Sequence, residues 1–153
     1  MPSQSMTFDV IGIPVPQGSM VSNGHGRGLR YSNDKPLKMW RNQLISEMVD
    51  NRPEGWDPNG ALTVSAVFRF VRPKSHFGTG RNAGVLKPSA PEFHMVKPDG
   101  DKLLRSVFDS VAQAGLAGRG DQSIVSANTT KRWVIGDEPP GVLLTITSVS
   151  PNV

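Results

Sequence analysis

The chain has 153 residues, no cysteine and a net charge of +4, which is enough length for one domain to bury its own core and which excludes disulfides, thiolate nucleophiles and cysteine-held zinc. No stretch approaches the ~20 apolar residues that span a bilayer, and the opening MPSQSMTFDVIGIPVP has no basic run followed by an apolar one, so a soluble cytoplasmic protein is expected. The positive charge is concentrated. Residues 20–41 hold Arg27, Arg30, Lys35, Lys38 and Arg41 against Asp34 alone, residues 69–105 are the second basic block, and the remainder is net acidic. Two basic blocks suit a polyanion such as nucleic acid, although solvated basic loops would give the same pattern.

In chain order, TFDVIGI at 7–13 reads as a strand closed by Pro14 and Pro16. QGSMVSNGHGRGLRYSN, rich in Gly, Ser and Asn, predicts a flexible basic loop over about 17–33. Leu37, Trp40, Leu44, Ile45, Met48 and Val49 recur at helical spacing behind Asp34 and Pro36, which predicts a helix near 35–50 capped by Asp34. ALTVSAVFRF alternates with period 2 and places Leu62, Val64, Ala66, Phe68 and Phe70 on one face of a strand. A second basic loop without periodicity follows at 71–92. Leu103, Leu104, Val107, Phe108 and Val111 then predict a helix over roughly 100–114, with Gly115 at its C-terminal end. QSIVSANTTKRWVI and VLLTITSV read as strands joined in hairpin fashion by GDEPPG. The expected order β-α-β-α-β-β describes a single α+β (mixed α/β) domain, a mixed sheet of about four strands with two main helices.

The chemistry concentrates in KPDGDKLLRSVFD, residues 97–109. Asp99 and Asp101 repel one another unless something positive lies between them. In an extended approach to a helix, side chains at i and i+2 project to one side, and Asp121 in the GRGDQ turn could join them. An all-oxygen set suits Mg²⁺, with Mn²⁺ as substitute, better than zinc. The competing reading is helix capping, which accounts for one Asp better than for both. Arg105, four residues after Asp101, could form a surface ion pair or grip a phosphate bidentately. Asp109, out of helical phase with Asp101, reads as structural. Trp40, Trp56 and Trp133 read as core.

KPDGDKLLRSVFDSVAQAGLAGRGDQSIV resembles the core of the RusA family of Holliday junction resolvases of phages and prophages, with its KPDxDxLxKxxxDxL pattern followed by a turn carrying another Asp before a strand. The resemblance covers residues 97–125 and implies a small homodimeric Mg²⁺-dependent endonuclease that nicks four-way DNA junctions symmetrically. Asp99, Asp101 and Asp121 occupy the positions of the family's metal-binding carboxylates, and Arg105 stands where the family usually has a catalytic Lys. Lys102 replaces a common Asn, and GRGD has Gly where relatives often carry an additional acid. The expected partners are branched DNA and a second copy of the chain, in the host cytoplasm, with no membrane and no small-molecule cofactor. Candidate DNA contacts are Lys97, Lys102 and His94 beside the motif, Arg27 and Arg30 in the first loop, and Arg72, Lys74, Arg81 and Lys87 in the second. A non-catalytic junction-binding scaffold, or a nuclease for flaps or forks, would share much of this pattern.

Overall fold

In a computed structural model, which describes residues 3–150, a four-stranded mixed sheet packs one face against two helices. The elements are β1 (Gln4–Ile11), β2 (Met20–Ser22), β3 (Leu29–Tyr31), α1 (Asp34–Asn51), β4 (Ala61–Phe70), α2 (Gly100–Gln113), β5 (Ile124–Trp133) and β6 (Gly141–Val149). The sheet order is β1-β6-β4-β5, and β2 and β3 form a separate antiparallel pair. The expected class and the order of main elements are those observed. No helix among the described residues is long and apolar enough to cross a membrane.

Period 2 determines which face of the sheet is buried. Met6, Phe8 and Val10 of β1, Leu62, Val64, Ala66 and Phe68 of β4, and Val142, Leu144 and Ile146 of β6 form one apolar layer. Leu37, Trp40, Leu44 and Met48 of α1 and Leu103, Val107 and Val111 of α2 cover it. α2 also buries Ser106 and Ser110, whose hydroxyls donate back along the helix to Leu103 O at 2.9 Å and Ser106 O at 2.8 Å. The opposite face carries small polar side chains, including the Ser5–Thr147 and Thr7–Thr145 hydroxyl pairs.

Three local expectations change. Asn33, not Asp34, flanks α1, and its amide donates to Pro16 O at 2.7 Å instead of capping the helix. The basic segment expected as a loop over 17–33 contains the β2–β3 hairpin, in which Met20 pairs with Tyr31. Strands β5 and β6 do not pair with each other: β5 runs parallel to β4 at the sheet edge, and β6 lies antiparallel between β4 and β1. The β5–β6 connection must therefore cross the end of β4, and polar side chains stabilise it there. Arg132 grips Glu138 through Nη1 and Nη2, at 2.6 and 2.8 Å, and the Ile135 amide donates to the same carboxylate. The Arg132 hydrogen bonds, aided by that amide, hold the Glu138 carboxyl down to about 2. Arg69, buried beside it, donates to Pro139 O and to Asp9 Oδ1 at 2.6 Å. Gly141 is required at this crossing, since a Cβ there would collide with the Val10 carbonyl oxygen.

One end of the sheet gathers the sequence motifs. β1 and β4 finish there and β6 begins there, because Ile11 and Arg69 both pair with Gly141. The Pro14–Pro16 segment, the second basic loop and the KPDGD approach all leave from that end.

Candidate active site

α2 begins where the chain has just passed along β5. His94 N donates to Lys131 O and Trp133 N to Glu92 O, so residues 92–94 add a short antiparallel stretch to the edge of β5. The chain then turns through Lys97 and Pro98, joined by a cis peptide, into Asp99, whose extended backbone precedes the helix. Gly100 opens α2 against β5, where an added Cβ would stand 3.1 Å from the Thr129 methyl.

The two acids at this helix start are exposed and uncommitted. Asp99 holds the cap position by its backbone alone, and its carboxylate makes no capping hydrogen bond. Asp101 lies in the first turn, where the helix dipole favours an anion. The ion pairs among the described residues are Arg69–Asp9 and Arg132–Glu138, and neither uses Asp99, Asp101, Asp121 or Arg105. The surface pair that the spacing of Asp101 and Arg105 allowed is therefore not formed.

Asp101 and Arg105 face one groove of about 560 Å³, together with Lys102, Phe108, Gln17 and Ser19. Two hydrogen bonds hold the 15–19 segment against α2, from Gln17 N to Lys102 O at 3.1 Å and from Ser106 Oγ to Val15 O at 3.2 Å. Lys102 also lines an adjoining, more apolar groove with Ile13, Pro14, Phe70, Lys97 and Pro98.

Asp121 is placed differently. Parallel pairing starts β5 opposite Leu62, at the far end of β4 from Phe70, and Asp121 sits in the short 3-10 turn Asp121–Ser123 just before it. That turn packs on α2, within charge range of Asp109, about two helical turns beyond Asp101. Among the described residues no three Asp, Glu or His side chains converge as a metal-holding group. The expected set of Asp99, Asp101 and Asp121 is thus divided between the start of α2 and its third turn.

Asp109, read from helical phase as structural, has charged neighbours on several elements. Burial holds its carboxyl above the ordinary range; Arg41 of α1 pulls it down, Asp121 pushes it up and Arg105 pulls it down again. Its spacing from Arg105, i to i+4, was the available signal.

The candidate DNA contacts separate into two groups. Arg27 and Arg30 on the hairpin, Lys74, Arg81 and Lys87 on the second loop, and Lys97 and Lys102 beside the groove are exposed. Arg72 is instead committed to its own loop: Nε donates to Val134 O at 2.9 Å and Nη1 to Pro91 O at 2.8 Å. It joins the two ends of the segment whose interior is ordered by the Lys74–His76 and Gly80–Asn82 turns and the Phe77–Leu86 bridge.

His94 also departs from expectation. It is 5% exposed, stacked on Phe70 with ring centroids 3.9 Å apart and 4.5 Å from Trp133, so the ring is packed core and not a phosphate contact. Burial first, then the Lys131 charge, hold its imidazole below the ordinary value despite an opposing backbone hydrogen bond. The unfolded chain takes up this proton near pH 6.5 and the folded chain only at lower pH, so stability is full above about pH 6.5 and falls as the pH drops below it. His94→Phe, which keeps the stack, should flatten that fall when denaturant midpoints are compared at about pH 7.5 and about pH 5. Equal losses in both proteins would assign the acid sensitivity elsewhere.

No model of a known protein family matches the chain, and comparison with curated proteins likewise gives no match.

Proposed function

We propose that the chain is a divalent-metal-dependent, structure-selective DNA endonuclease of the RusA kind, acting on four-way junctions as a homodimer. The observation that carries this reading is the groove in which Asp101 stands beside Arg105 and Lys102 with no ion pair taken up, at the start of a helix whose cap residue, Asp99, makes no side-chain capping bond.

The donor chemistry suits Mg²⁺, which needs only one or two protein carboxylates when waters and substrate phosphate complete its shell. Asp99 and Asp101 would hold it, while Asp121, at the third turn of α2 beside Asp109, stands apart from that pair. When bound, such an ion polarises a phosphoryl oxygen and generates a nucleophile from water at neutral pH. Arg105, with a planar fork matched to phosphate oxygens, would orient the scissile group and offset charge that develops on it. Lys102 would hold a neighbouring phosphate at the mouth of both grooves. A two-fold dimer matches the two-fold symmetry of a four-way junction, so paired nicks follow from geometry.

The test is incubation of the protein with a labelled four-way junction and with linear duplex, with and without Mg²⁺. Paired nicks in the junction alone, dependent on the metal, are the expected result. Tight junction binding without incision in either Mg²⁺ or Mn²⁺ would replace this reading with a DNA-binding scaffold.

A further inference from the structure

We propose that Lys131 is a positioning residue for the candidate site, fixing the backbone that delivers Asp99 and the start of α2. The inference rests on the nuclease reading for its consequence in catalysis, but not for the clamp itself.

Lys131 lies on β5 in register with Phe68, a fully buried residue at the middle of the sheet, so its backbone is rigidly held. Its ammonium donates to two carbonyls of the approach segment, Val96 O at 2.7 Å and Pro98 O at 2.7 Å. Its own carbonyl accepts from His94 N at 3.0 Å. One strand residue thus holds the incoming chain at three points, and one of them, Pro98 O, belongs to the peptide that leads into Asp99.

Residues 95–98 belong to no strand or helix, and their carbonyls need donors from elsewhere. An ammonium has three N–H groups and no acceptor. With two of them committed to carbonyls, Lys131 is a backbone clamp that keeps its charge and one N–H. The consequence reaches the site through the chain. A shift of about 1 Å in a catalytic group costs on the order of 10²-fold in rate, and loss of groups that orient metal ligands costs about 10–100-fold in metal affinity.

The experiment compares wild type with Lys131→Met, which keeps length and loses the donors, and with Lys131→Arg, which keeps charge and donors. Three quantities are read: amide hydrogen exchange of His94 and Leu103, whose N–H groups donate to Lys131 O and Asp99 O; Mn²⁺ affinity by calorimetry; and kcat and KM on a four-way junction. The Met variant should exchange these amides at least about tenfold faster and bind Mn²⁺ about tenfold more weakly. Its kcat should fall about 10²-fold while KM stays within about threefold, and Arg should restore most of each change. If the Met variant does not fold, Lys131→Leu, which also lacks donors, takes its place in the exchange and Mn²⁺ comparison. Exchange and Mn²⁺ affinity unchanged from wild type would overturn the clamp. A wild-type protein that never cuts a junction, yet whose amides loosen in the Met variant, would uphold the clamp and remove the nuclease reading.

Discussion

Asp101→Asn should reduce metal-dependent incision of a four-way junction by on the order of 10²–10³-fold or more, with junction binding retained. The substitution keeps shape and removes one negative charge from the wall of the groove that holds Arg105 and Lys102. Binding measured without Mg²⁺ should therefore hold or tighten, since the phosphates lose a repelling neighbour. Stability should change little, because no ion pair among the described residues uses Asp101. Asp99→Asn should behave in the same way, as its carboxylate makes no capping bond. Single-turnover nicking, binding by anisotropy and thermal midpoints together decide the matter. Undiminished incision would return Asp101 to a plain helix-dipole role, and a stability loss of about 1 kcal/mol in Asp99→Ala would assign that acid to the cap.

Where local pattern and tertiary environment coincide, the sequence was legible. The alternation in ALTVSAVFRF named all five apolar residues that β4 buries, though not Arg69, and the stripe of α2 named Leu103, Val107 and Val111. Leu104 and Phe108, from the same stripe, are only partly buried, and both line the groove beside Arg105. Strand pairing was not legible, because GDEPPG carries hairpin residues while β6 finds better burial between β1 and β4. The hairpin at Met20–Tyr31 was hidden by Gly, Ser and Asn, which signal turns but not the short strands between them. Charged residues were the hardest to place. Arg72 and Arg81 look alike as letters, yet one ends on backbone carbonyls and the other is exposed. Nothing local marks Lys131, whose partners lie more than thirty residues away along a path set by the bend at Pro98.

Junction binding should weaken steeply with salt, by ~10³–10⁴-fold between about 50 and about 200 mM monovalent salt. The exposed cations Arg27, Arg30, Lys74, Arg81, Lys87, Lys97 and Lys102 lie on the hairpin, on the second loop and beside the groove at the start of α2. If each neutralises one phosphate, the logarithm of affinity falls with the logarithm of salt at a slope of about −6, which produces that loss over a fourfold increase. The double variant Arg81→Ala, Lys87→Ala removes two of those charges and should flatten the slope by about two. Arg72→Ala should differ in kind. It strips donors from the Val134 and Pro91 carbonyls, so it should lower the unfolding midpoint while leaving the slope within about one unit of wild type. Anisotropy titrations across salt, paired with thermal melts, separate the two effects. A wild-type slope shallower than about −3 would mean that at least one basic segment never reaches the DNA. A slope change in Arg72→Ala equal to that of the double variant would reassign its guanidinium from the loop to the substrate.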